Sequence, residues 1–222
     1  NSYAVALTGS TSDVKAALAG TFASTYTGNV TLDDADAADI QAADITTIEG
    51  DTSGTVTVSN NIDINGTATE VAAAVADVNT FTKTAVTANL SSNHTLAELK
   101  AINNAIGGTI TLTDYSVGLS GSSADVAAAL DGTFAAQYTG TAGLTSNHTL
   151  AELKTINNQT NNTITLTSYG EALSGSSADI AAALAGTFAS EYTGNVTTDD
   201  NHTVSELVAI NNATSGTITL HN

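Results

Sequence analysis

Three histidines, His94, His148 and His202, recur 54 residues apart, each between an Asn and a Thr. Imidazoles in register invite a metal site, since a ring nitrogen binds zinc at about 2 Å. The spacing argues against one. A single histidine per 54 residues puts neighbouring copies two strand spacings apart, roughly 10 Å, too far to share an ion. They read instead as turn residues ahead of a helix N-cap. His221 lies at the extreme end of the chain. Among carboxylates, Asn61-Ile-Asp63-Ile-Asn65-Gly66 echoes the start of a calcium loop, but Ala72 stands where the bidentate Glu is needed. The alternation of Ile62 and Ile64 also suits a strand. Asp33, Asp34, Asp36 and Asp39, with Asp199 and Asp200, offer a looser acidic site. Candidate calcium ligands are therefore Asp33, Asp34, Asp36, Asp63, Asp199 and Asp200, against the alternative of solvated acidic loops. No other metal or cofactor is expected.

Nucleophilic catalysis finds no constellation. A triad needs one Ser, one His and one acid brought together uniquely, whereas the serines, histidines and aspartates here recur in repeat register, with a capping role to explain them. There is no glycine-rich phosphate loop. No catalytic residue is assigned, and the expectation is a protein that is not an enzyme.

Composition narrows the partners. The chain has 222 residues, 41% of them hydrophobic but only 5% aromatic, so its core must be thin layers of small side chains. Four basic residues, all lysines, face 22 acidic ones, for a net charge of -18. Nucleic acid and anionic membrane surfaces are repelled by that balance. Cysteine is absent, which excludes disulfides and thiolate sites. No apolar run approaches the roughly 20 residues of a membrane span. The chain starts at Asn1 without Met or signal peptide, as a processed form or an excerpt of a longer array would.

The elements that must position these residues come from a repeat. Leu119 to Gly140 matches Leu173 to Gly194 almost residue for residue, and Leu7 to Gly28 is a third copy. A degenerate fourth runs from Gly66 through Val71, Val75 and Phe81. A second half-unit, Asn93 to Leu112, recurs from Asn147 to Leu166 and from Asn201 to Leu220, and more faintly from Asp39 to Val58. Four units follow: residues 1–58, 59–112, 113–166 and 167–222, the second with a degenerate first half. An extra four residues fall in the acidic stretch Asp33-Asp34-Ala35-Asp36.

Each half-unit reads as a helix followed by a strand. Seven of eight helix starts carry a Ser or Thr with an acid three residues later: Ser10, Thr67, Thr95, Ser122, Thr149, Ser176 and Thr203. The longer helix is expected to present Val126, Leu130, Phe134 and Tyr138 as one stripe. Thr-x-Thr strands such as Thr55–Val58, Thr109–Leu112, Thr163–Leu166 and Thr217–Leu220 alternate apolar and polar residues. Strands joined by helices should be parallel with right-handed crossovers, giving an α/β solenoid of four 54-residue units. One helix per strand forces curvature, because helices are about 10 Å wide and strands about 4.8 Å apart, unless the linking extended segments interleave as further strands.

Repeated tyrosines (Tyr3, Tyr115, Tyr169; Tyr26, Tyr138, Tyr192) and phenylalanines (Phe22, Phe134, Phe188) could form a sugar-binding strip, but sit with Val and Leu and are taken as packing. Stacked Thr-x-Thr strands would give a threonine array of the kind that orders water on ice, although Thr is favoured on any exposed strand face and Thr141-Ala-Gly-Leu144 breaks the series. Frequent Asn-x-Ser/Thr sequons, including Asn29 and Asn93, matter only in a glycosylating host.

The segments Gly121-Ser-Ser-Ala-Asp-Val126 and Gly108-Thr-Ile-Thr-Leu112 resemble the Ala-, Thr- and Asp-rich tandem repeats of very large secreted surface proteins of marine bacteria, notably cyanobacteria, among them adhesins and surface-layer proteins. The resemblance covers essentially the whole chain and implies an exported structural or adhesive role. Those proteins often carry Gly- and Asp-rich calcium nonapeptides, which this chain lacks. No capping unit is legible at either end, and joining Leu220-His221-Asn222 to Asn1-Ser2-Tyr3 of a second molecule nearly reproduces the internal junctions. The expectation is head-to-tail self-association through Asn1, Ser2, Tyr3, Leu220, His221 and Asn222 into an extracellular filament or layer. The alternative is an adhesin segment or binding module for glycan or ice.

Overall fold

A computed structural model describes residues 2–221. In chain order the elements are β1 (Leu7–Gly9), α1 (Thr11–Leu18), β2 (Val30–Leu32), β3 (Asp39–Gln41), α2 (Ala42–Asp51), β4 (Val56–Val58), β5 (Asp63–Gly66), α3 (Ala68–Asp77), β6 (Thr80–Phe81), β7 (Thr87–Leu90), α4 (Leu96–Ala105) and β8 (Thr109–Thr111). Then come β9 (Leu119–Gly121), α5 (Ser123–Leu130), β10 (Thr133–Phe134), β11 (Ala142–Leu144), α6 (Leu150–Gln159), β12 (Ile164–Thr165), β13 (Leu173–Gly175), α7 (Ser177–Leu184), β14 (Val196–Thr198), α8 (Val204–Ala213) and β15 (Ile218–Thr219). The fold is α/β, and every strand pair among the described residues is parallel. No helix of these residues is long and apolar enough to cross a membrane.

The chain divides into two compact units, one of Asn1–Asp114 with Gly132–Ala135, the other of Tyr115–Asp131 with Ala136–Asn222. In the first, one sheet runs β1-β2-β4-β6 and the other β10-β8-β7-β5-β3. In the second, the sheets are β12-β11-β9 and β13-β14-β15. Helices α1 to α4 pack consecutively in the first unit and α5 to α8 in the second.

Register explains why strands of two to four residues suffice. Ile40 pairs with Ile64, Ile64 with Ala88, Ala88 with Ile110 and Ile110 with Phe134, so one column of apolar side chains descends the sheet. Leu119, Ala142 and Ile164 form another, continued by a bridge from Ile164 to Phe188. Ile64, Ala88, Ile110 and Ile164 are fully buried. Of the two alternatives for the extended linking segments, interleaving is what occurs where they lead into the helices: Leu119–Gly121 pairs with β11 and Leu173–Gly175 with β14.

The long amphipathic helix expected through Tyr138 ends at Leu130. Asp131-Gly132, both poor helix formers, stop it. Phe134 then lies in β10, and Tyr138 bridges to Thr160. Helix starts follow the expected chemistry. Four of them, at Thr67, Thr95, Thr149 and Thr203, are full capping boxes. At Ser10, Ser122 and Ser176 the hydroxyl accepts from the Asp backbone N–H three residues on, but the shorter carboxylate bonds back to the hydroxyl or to another side chain and not to the cap N–H. Helix α2 begins at Gln41 with no side-chain cap.

Equivalent positions differ in burial along the chain. Leu153 in α6 is fully buried, whereas Leu207 in α8, 54 residues on, is only half-buried. At micromolar protein concentration, Leu153→Ala should cost about 2–5 kcal/mol of unfolding free energy in urea titration. Leu207→Ala should cost less than half of that. Equal costs would mean that the α8 face is covered.

Candidate functional site

Side-chain oxygens of the acidic segments serve the backbone. Asp34 accepts from the Thr11 N–H at 3.0 Å and from the Thr11 hydroxyl at 2.6 Å, capping α1 from a loop 23 residues away. Asp200 takes the Ser177 N–H of α7 at 2.8 Å in the same way. Ser92 and Ser146 do so for Ala68 of α3 and Ser123 of α5. A helix N-terminus, with its free amides and positive dipole end, is a natural seat for a carboxylate. Asp36 accepts from the Asn61 N–H at 2.9 Å, and Asp63 from the Thr87 hydroxyl. Asp33 and Asp199 are exposed and use their backbone N–H groups toward Gly9 and Gly175. Nowhere among the described residues do three or more His, Asp or Glu side chains converge as a metal site would require. This capping from loops 23 or 24 residues further on was not legible in the sequence, where the acids read as ligands or solvated loops.

The histidines precede N-caps, as expected, but are more than turn residues. His94 and His148 are buried. His148 Nε2 lies 3.1 Å from the Tyr192 hydroxyl, which itself donates to the Glu171 carbonyl at 2.7 Å. With its one proton committed to the carbonyl, the Tyr192 oxygen must accept, so Nε2 carries the histidine proton. That leaves Nδ1 as a buried acceptor without a hydrogen-bond partner. Protonating it would place a charge in an apolar layer. Desolvation accordingly lowers the His148 pKa, against opposing pulls from Glu171 and Glu152. His94 is lowered for the same reason, opposed by Glu98 and Asp114. Burial raises the Tyr192 hydroxyl, with Glu171 adding to the effect. The regular Tyr26, Tyr138 and Tyr192 are core residues, and the hydroxyl of each donates to a carbonyl 21 residues earlier, Val5, Val117 and Glu171. A pair at 44 residues' separation, outside the 54-residue register, gave no sequence signal.

The remaining feature is apolar. Val204 is 81% exposed, Val208 54% and Leu220 39%. With Leu207, Asn211 and Ile218 they line an open groove of about 450 Å³ on α8 and β15. Of their equivalents in α6 and β12, Leu153 and Ile164 are fully buried and Leu166 nearly so beside α7, while Leu150 and Lys154 are half-buried. At the other end of the sequence Val5 is 58% and Phe22 42% exposed. Of the residues expected at a self-association site, Ser2 and His221 are exposed, Tyr3 is half-buried with its ring edge-on to Phe22 at 6.3 Å, and Leu220 belongs to the groove. Asn1 and Asn222 lie outside the described residues. The expected list missed Val204, Val208 and Phe22, whose exposure depends on which helix neighbours them and not on residue type.

Comparison of the chain with protein families, with curated proteins and with solved structures found no match.

The histidine geometry sets a pH dependence. Because the folded-state pKa of His148 lies below the unfolded value of 6.5, its contribution to stability is full above that pH. It is lost as pH falls through the window below 6.5 toward the folded value. Carboxylates held low by capping bonds, such as Glu70 and Glu206, lose theirs only in more acid solution. Unfolding free energy measured from pH 7.5 to 5 should therefore decline, and His148→Gln, which keeps a donor for Tyr192 but cannot titrate, should flatten part of that decline. His94→Gln should flatten a further part.

Proposed function

We propose that this chain is a structural, non-enzymatic repeat protein that works outside the cell and self-associates head to tail into a filament or surface layer. In this reading the four 54-residue units form one solenoid, each half-unit contributing a helix and its strands to a stack. The groove on α8 and β15 carries the proposal. It leaves Leu207, Ile218 and Leu220 accessible where their counterparts Leu153, Ile164 and Leu166 are buried beside α7, and contiguous exposed apolar surface on an acidic chain is a docking feature. Two unlike faces join by a heterologous contact, which extends without closing. The export reading rests on the resemblance of Gly121–Val126 and Gly108–Leu112 to secreted bacterial surface repeats. No metal or cofactor is needed for it.

One observation favours a second reading, a binding module for glycan or ice. Thr8 pairs with Thr31, Thr31 with Thr57 and Thr57 with Thr80, which sets four threonines in one outward row across the first sheet. The rows beside it include Asp33 and Asn29, which interrupt the flat apolar-hydroxyl pattern that ordered water would match. Structural self-association is therefore preferred.

Electron microscopy and sedimentation of the purified chain across a concentration series test the two readings. Fibres lengthening with concentration are expected. With a net charge of -18, association should also strengthen as salt rises from about 10 to 150 mM, since screening shortens the reach of like-charge repulsion. A chelator should change nothing. Monomers at every concentration that nonetheless bind ice or a glycan array would favour the second reading.

A further inference from the structure

Glycine recurs just past the ends of α1, α5 and α7, at Gly20, Gly132 and Gly186. At two of these the reason is steric. A Cβ built on Gly186 would overlap Asn157 Oδ1 of α6, and one on Gly132 would overlap Asn103 Oδ1 of α4. The Asn157 amide also donates to the Ala182 carbonyl of α7 at 2.6 Å. An asparagine on one helix thus keys into the glycine after the next, and no side chain fits between them. Gly20 has no such neighbour in the chain. Its φ is not left-handed, and a Cβ there would meet only Phe22 Cζ at 3.9 Å. The matching asparagine without a glycine is Asn211 of α8, exposed at the edge of the groove.

Three more half-contacts agree. Gly175 admits Leu150, whose Cδ2 would lie 2.6 Å from a Cβ there. The equivalents are Gly9, touched only by its own neighbours Asp13 and Val14, and the exposed Val204. Ala183 is fully buried in α7, whereas its counterpart Ala17 in α1 is exposed. Val58, Ile110 and Ile164 each pair with a phenylalanine, Phe81, Phe134 and Phe188. Ile218 has no such partner in its sheet, and Thr21-Phe22 is the one copy of that Thr-Phe step that forms no strand or bridge.

Resting on the self-association reading, we infer that α1 of one copy seats on the α8–β15 face of a second copy of this chain, with Gly20 receiving Asn211, Gly9 receiving Val204, and Phe22 adding to the Ile218 edge. The joint reproduces the α6–α7 contact with one difference. Lys154 of α6 pairs with Asp179 of α7, but Val208 stands where that lysine would be, so Asp13 enters the joint without a cation. The intermolecular joint is thereby weaker than the internal one.

The test uses sedimentation equilibrium on the full chain. Gly20→Val blocks the α1 face and Asn211→Arg the α8 face, and each alone should weaken association at least tenfold. Thermal unfolding in dilute solution should be unchanged, since both sites are open in the single chain. Mixed, the two variants should form 1:1 dimers and stop there, each supplying the face the other lacks. Val208→Lys should tighten association a few-fold, and the gain should vanish with Asp13→Asn. Ala17→Arg is the second block on the α1 face should Gly20→Val perturb folding. Wild type that remains monomeric overturns the self-association reading itself. Wild type that assembles while the blocked variants assemble equally well keeps that reading and overturns this interface.

Discussion

A strand of three residues cannot hold itself. Its few amides and carbonyls are satisfied only if another strand lies in register on each side, and the other features of this protein serve to keep that register. Leu7 pairs with Val30 and Leu173 with Val196, the same step in two places, and the intervening chain in each case is a helix and a turn. The step varies only from 22 to 26 residues across the sheets, although no single strand is long enough to specify it. Apolar columns do part of the specifying, because a shift of one residue would turn Ile64 and Ile110 out to water and bring a polar neighbour, Asn65 or Thr111, in.

Helix caps do the rest. Each long-range cap, Asp34 to Thr11 or Asp200 to Ser177, ties the start of a helix to a loop 23 residues later. These bonds join distant segments where the capping boxes act within a single helical turn. Tyrosine hydroxyls reaching carbonyls 21 residues earlier serve the same end from inside. With so few large side chains, this directional bonding fixes the spacing that a thick core would otherwise set by volume. Alanine and glycine on the facing helix sides let neighbours approach closely, which is why α6 and α7 interlock through an asparagine and a glycine.

Much of the α/β pattern was legible in the sequence because its signals are local. Capping pairs lie three residues apart and strand alternation has a period of two, so Thr149-x-x-Glu152 and Thr163-Ile-Thr-Leu166 declare themselves. Phe134 and Tyr138 fit helical spacing from Leu130, yet Asp131-Gly132 ends the helix before them, a stop that the i, i+4 pattern does not carry. The candidate site was less legible. Whether Leu207 is half-buried and Leu153 fully buried depends on what lies beside each helix, and the two leucines stand at the same repeat position in the sequence. The His148–Tyr192 bond joins positions from different half-units, so the repeat itself hid it.

Parallel stacking in register also fixes how such a chain would respond to force. Each strand is bonded only to the rungs above and below it, so load applied along the backbone meets one edge rung at a time and not the sheet at once. Peeling a single rung frees about 23 residues, close to 80 Å of extended chain at about 3.4 Å per residue, while the remaining rungs keep their pairing. Pairing steps elsewhere run from 22 to 26 residues, so strands pulled off in turn would release similar but unequal lengths of chain, each able to pair again against the strand left in place.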